Sequence, residues 1–139
     1  MQRNDLNGFE QSISTFALYS QDGLEKIKNI ESFQGDGNLK YGAQIMLNFY
    51  KQEAEKDFPA MSNFYIKKDD FEKIQKTFES ISEGKRTQKD IDQYNAAVKE
   101  LNKAAVLANK ISESSNNARK NYLDKWNKIV ENFFDAHSN

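Results

Sequence analysis

The chain of 139 residues has no cysteine, one proline, one histidine and three arginines. Without cysteine there is no disulfide framework, thiol nucleophile, thiolate zinc site or covalently attached c-type haem. His137, next to the C-terminus, is the only histidine. It leaves no pair for zinc, and the residue three before it is Phe134, which breaks the Glu-x-x-His pattern of di-iron bundles. A haem ligated through histidine would rest on His137 alone, at a position expected to fray. Arg3, Arg86 and Arg119 are scattered, so planar, bidentate recognition of phosphate has little to work with.

Charge of one sign is lacking too. The 20 Lys+Arg against 21 Asp+Glu give a net charge of −1, hence no whole-chain attraction to nucleic acid or an anionic membrane. No run approaches the ~18–20 apolar residues of a membrane span. Met1–Glu10 is polar, so no secretory hydrophobic segment stands there. Taken literally the chain is cytoplasmic; if Met1 replaces a removed export signal, it belongs to the cell envelope. Walker and dinucleotide glycine patterns are missing. The serines at 12–20, 80–82 and 112–115 have neither a histidine partner nor a Gly-x-Ser-x-Gly elbow. The carboxylate pairs Glu53–Asp57 and Asp69–Asp70 read as solvated helix faces or caps. No catalytic residue, metal or cofactor is expected.

What is present is helical periodicity. Leu6, Phe9, Ile13, Phe16, Ser20, Gly23, Ile27 and Ile30 recur at spacings of three and four, predicting a helix over about 5–33 with one apolar face. Gln34-Gly35-Asp36-Gly37-Asn38 interrupts it. Its glycines permit positive φ, and Asp36 can cap the next helix. An EF-hand calcium loop would need further acidic ligands where Lys40 and Tyr41 stand, so the segment reads as an interhelix turn. A second helix is expected over 38–66 on the stripe Ala43, Leu47, Tyr50, Ala54, Phe58, Met61 and Tyr65. Pro59 should kink or break it near Asp57, because proline lacks the amide donor and its ring meets the carbonyl four residues back.

Lys67–Asp70 reads as the next boundary, with Asp69 and Glu72 in the form of a capping box. Phe71, Ile74, Phe78 and Ile81 then predict a helix over 70–83. Thr87 with Asp90 can open another over 87–113, where Ala96, Ala97, Ala104, Ala105 and Ala108 allow close helix approach. Ser112–Asn117 lacks a large apolar residue; a break or bend there, before a last helix over 116–136, is the preferred reading, and a polar stripe inside one long helix is the alternative. An unbroken helix from 87 to 136 would run ~75 Å. The expected class is therefore all-α, an antiparallel four- to five-helix bundle forming a single domain over 1–139, with roughly two-thirds of the unfolded surface buried.

Two surfaces carry functional expectations. Phe49, Phe58, Pro59, Met61 and Phe64 form a candidate groove beside the kink, suited to a small apolar ligand. Tyr122 and Trp126, one turn apart, form a candidate anchor for a protein partner. Against that, Trp126 can simply fill the core beside Ile129 and Phe133. No helix carries a one-sided basic face with interleaved aromatics, which removes nucleic acid as a partner.

The segments Ile30–Ala43 (IESFQGDGNLKYGA), Leu47–Tyr50 (LNFY) and Phe58–Met61 (FPAM) resemble a family of uncharacterised bacterial surface lipoproteins of leptospires and Bacteroidetes. The shared features are a helix, a Phe-x-Gly-Asp turn, a helix bearing Phe-Tyr and a later Phe-x-x-Met, over about residues 24–83. The resemblance implies a helical bundle at the envelope and carries over no catalytic residues. A lipid-bearing Cys and leader are absent, and the long C-terminal helical region departs from the pattern. The resulting expectation is a non-enzymatic binding or scaffold module of the cell envelope, its lipid anchor lost with the signal. The alternatives are a cytoplasmic adaptor or immunity-type protein that caps a partner, and a small apolar-ligand carrier.

Overall fold

The computed structural model describes residues 3–138. It is all-helical in the order α1 (Arg3–Lys28), α2 (Asn38–Gln52), a π-helical turn (Glu53–Asp57), α3 (Phe58–Ser80), a 3₁₀ turn (Glu83–Lys85) and α4 (Gln88–His137). Among the described residues there is no strand, only an isolated bridge between Phe33 and Asp36 inside the first loop. Because α2, the π-turn and α3 follow without interruption, the elements form three rods: α1, the 38–80 rod, and α4.

Three rods stand where four to five helices were expected. α1 stops at Lys28 and not near residue 33. There the Lys40 ammonium donates to the carbonyls of Lys28 at 2.9 Å and Ile30 at 2.8 Å, taking up acceptors that a helix end leaves orphaned. The loop then reverses through Gln34 at φ 50° and Gly35 at φ 84°. Asp36 does help start α2, its carboxylate accepting from the Asn38 amide at 2.8 Å.

The expected boundary at Lys67–Asp70 is absent, since Asp69 reaches forward to Lys73 at 2.5 Å across one helical turn. A salt bridge of that spacing supports the helix that a capping box would have begun. The expected break at 113–117 is absent as well, and α4 is one helix of 50 residues, ~75 Å long. Ser115 in its middle is buried. The Pro59 expectation falls at the right place in an unexpected form. The Phe58 amide donates to the Glu53 carbonyl five residues back, and this wider turn leads into the proline at the start of α3.

The Thr87–Asp90 capping box forms as read, with the Asp90 amide on Thr87 Oγ1 at 3.2 Å and the Thr87 amide on Asp90 at 2.8 Å. Arg86 closes the other side of that turn. Its Nε donates to the carbonyls of Phe78 and Ile81, and its guanidinium lies 4.4 Å from the Phe78 ring centre.

α4 runs antiparallel along the whole 38–80 rod. Phe49 stacks on Tyr122 at 4.6 Å, and Phe78 stacks on Tyr94 at 4.5 Å near the other end. α1 lies along α2 and the first half of α3, where Phe9 meets Phe58 and Tyr65, and Phe16 meets Tyr50 and Phe58. Beyond Tyr65 the α3–α4 pair continues as a two-helix hairpin. The accessible surface is accordingly 9886 Å², about a third above the ~7400 Å² of a compact monomer of this mass. Among the described residues the buried apolar ones are few: Met46, Phe49, Ala54, Ala104 and Ala108. Two of these are among the alanines read as small contact residues.

Candidate functional site

Two places gather side chains that a plain bundle does not need. The first is at the π-turn. Glu53 lies on the same face of α2 as Gly42, Met46 and Phe49 and is 1% exposed. Its Oε1 accepts from Ser115 Oγ and from Arg119 Nη2, the latter at 2.6 Å. Asp57, one turn on, is held above the ordinary carboxylate value of 3.8 by burial and then by the Glu53 charge, while the Ser115 hydroxyl acts in the opposite sense. The expectation of a solvated face for Glu53 and Asp57 is therefore corrected at Glu53. Its stripe position pulls it inside, and Ser115 with Arg119 on α4 makes burial tolerable. Of the polar middle of α4 only Ser115 faces this buried carboxylate, while Glu113, Ser114, Asn116 and Asn117 around it are exposed. No buried side-chain polar atom among the described residues lacks a partner. The cluster is saturated, with no open valence for a ligand.

The second place is the end of the bundle where the 29–37 loop crosses α4. His137 does not fray. Its Nε2 is 3.1 Å from Asp36 Oδ2, and its ring packs edge-on against Phe33 and beside Phe133. Asp36 is held below its ordinary range, first by the Asn38 amide and then by His137. This pair ties the loop to the last turn of α4 and fixes the walls of what lies beneath.

Trp126 is half-buried over α2. A Cβ at Gly42 would stand 3.0 Å from Ile129 and 3.2 Å from the Trp126 ring, so only glycine lets α4 come this close. On one side of the indole is an apolar cleft of about 300 Å³, walled by Ile27, Ile30, Phe33, Leu39, Ala43 and Phe133. On the other is a cleft of about 330 Å³, walled by Tyr41, Ile45, Met46, Tyr122 and Ile129. Apolar residues of the two linings reach the surface: Tyr41 is 62% exposed, Ile30 56% and Phe33 53%, with Lys40, Lys125 and Lys128 beside them.

The candidate residues separate accordingly. Tyr122 and Trp126 come together, Tyr122 backed by Phe49 and Trp126 dividing the two clefts. Trp126 thus combines the two roles weighed for it, packing against Gly42 and Ile129 while presenting its ring to open clefts. Phe49 is buried, Phe58 packs between Phe9 and Phe16, Phe64 leans on Tyr65 at 5.4 Å, and Pro59 is exposed. Together with Met61, these residues wall none of the clefts described above.

Sequence reasoning missed Phe33, Tyr41 and Phe134 as surface residues. Phe33 falls outside α1 only because that helix ends early, whereas Phe134 already stood off the Ile129–Phe133 stripe.

Among the described residues no group of three or more His, Cys, Asp or Glu is arranged to hold a metal ion. None of the helices is long and apolar enough to cross a membrane. Comparison with known proteins finds no matching family model, no matching curated protein and no matching solved structure.

Proposed function

We propose that this chain is a non-enzymatic binding module that engages a protein partner through the bundle end around Trp126. One observation carries the reading. A single indole is shared by two apolar clefts of about 300 and 330 Å³, whose linings include the exposed Ile30, Phe33 and Tyr41. Scattered exposed hydrophobes are ordinary on a monomer, but a contiguous set around a fixed aromatic anchor has the anatomy of an interface centre. The Asp36–His137 tie and the Gly42 contact favour this reading because they hold the walls in place before a partner arrives, which lowers the cost of binding. The resemblance to surface lipoproteins favours an envelope location for the module, on the premise that Met1 replaces a removed export signal.

The test is site-directed photo-crosslinking in the source cells, with benzoylphenylalanine at Phe33 or Tyr41 and, as control, at Lys76 on the far hairpin. A discrete protein adduct from both end positions and not from Lys76 is expected. Adducts only of lipid mass would transfer the reading to the apolar-ligand carrier. Equal labelling at all three positions would remove the site.

A further inference from the structure

The cleft beside Tyr122 does not end at Asn132. It shares Tyr41, Ile129 and Asn132 with a further depression of about 370 Å³ that extends to Phe133 and Ala136. The two form one groove between α2 and α4, reaching from Tyr122 to Ala136. Fourteen residues of helix span ~21 Å, the length of about four helical turns. The floor is apolar, and the charged lining is mostly cationic. Lys125 and Lys128 stand along the α4 edge with Asn132, and Asn38 stands on the α2 side. The Lys125 ammonium lies 5.8 Å from the Tyr122 ring centre, and among the described residues no carboxylate lies within 4.0 Å of either lysine's ammonium.

Asp36 is the only acidic residue in the lining. Both its oxygens are engaged, one by the Asn38 amide and one by His137. The chain as a whole is slightly acidic, so a four-turn groove with two unpaired cations and no free carboxylate is a local departure from its average.

We infer that this groove receives an acidic amphipathic helix of a partner protein, its apolar stripe on Ile45, Tyr122, Trp126 and Ile129 and its carboxylates toward Lys125 and Lys128. Helix-in-groove recognition needs an apolar trough of several turns, and charge along the edge selects partner and register. A second copy presenting this same face would bring the lysine pairs together, so the occupant differs in charge from the groove itself. The inference rests on the partner-binding reading above and adds to it the chemistry of the partner.

The experiment pans a random helical-peptide library on the intact chain and reads the site through Trp126, the only tryptophan. Enriched peptides should combine apolar residues at i, i+4 and i+7 with Glu or Asp, and should shift the Trp126 emission on binding. Lys125→Glu with Lys128→Glu should weaken them at least tenfold and enrich basic peptides instead. Lys125→Gln with Lys128→Gln should fall between, and Lys76→Glu with Lys110→Glu should change nothing. Apolar binders without acidic bias, indifferent to the reversal, would overturn the inference and leave the partner-binding reading standing. A library yielding no peptide that perturbs Trp126 would overturn both. Helical circular dichroism of each variant shows that these exposed substitutions leave the fold intact.

Discussion

Arg119→Ala should be far more damaging than its surface position implies. Arg119 is 37% exposed on its side chain, yet its Nη2 is 2.6 Å from a Glu53 carboxylate that is 1% exposed. Removing one partner of an enclosed pair costs ~3–5 kcal/mol, because the other charge stays buried without compensation. Water can enter where part of the guanidinium stood and Ser115 still donates, so about 2–3 kcal/mol is expected here. With a urea slope of about 1–3 kcal/mol/M, that is a midpoint shift of about 0.7–3 M, read by helical circular dichroism.

Glu53→Gln keeps the size and an acceptor while freeing Arg119 to turn to solvent, so it should cost only ~1 kcal/mol, the worth of an ordinary hydrogen bond. In the double variant the arginine loss should cost much less than in the wild type, giving a coupling above ~1 kcal/mol. If Arg119→Ala shifts the midpoint no more than Glu53→Gln, or the two effects simply add, Glu53 is not the uncompensated charge argued here.

Other substitutions test separate steps. Gly42→Ala pushes a methyl into Ile129 and Trp126, costing ~1–3 kcal/mol of overpacking, whereas Gly8→Ala has nothing within 4 Å and should gain ~1 kcal/mol of helix preference. Thermal melts should move in opposite directions for the two.

Asp57→Asn tests the raised carboxyl. The folded chain holds that proton more tightly than the unfolded chain, so ionisation costs stability as pH rises through the folded value. The variant should melt higher than wild type at pH 7, and its advantage should vanish below the ordinary value of 3.8. Thr87→Ala removes the hydroxyl that caps α4 and should cost ~1 kcal/mol, and amide exchange should quicken first in the initial turn of that helix.

Legibility in the sequence followed the range of the interactions. The stripe through Phe9 and Phe16, the reversing loop at Gln34–Asp36 and the Thr87–Asp90 cap are set by neighbours a few residues apart, and they stand as read. What escaped was set at a distance. Ser115, in the middle of α4, turns inward to meet Glu53, from which it is separated by 62 positions. A signal existed for this: Glu53 continues the series Gly42, Met46, Phe49, and Ser115 with Arg119 continues Ala108 toward Tyr122. A carboxylate on one contact stripe faced a donor pair on the other. The exposed rim of the bundle end escaped for the opposite reason, since an aromatic residue looks the same in sequence whether it is buried or not.

The π-turn has a consequence for how length changes in the chain would be felt. A helical residue turns ~100° about its axis, so one extra residue in a turn resets the heading of everything after it. The 38–80 rod uses that reset: ahead of it Phe49 serves α4, and just behind it Phe58 serves α1. Deleting one residue between Glu53 and Asp57 would restore an ordinary α-helix and swing α3 by about a quarter turn. Phe58 would leave Phe9 and Phe16, and Ser62 would leave the Glu10 carboxylate it now meets at 2.9 Å. An exposed loop tolerates gain or loss of a residue; this one turn, although it lies within a helix, carries the phase of the whole distal hairpin.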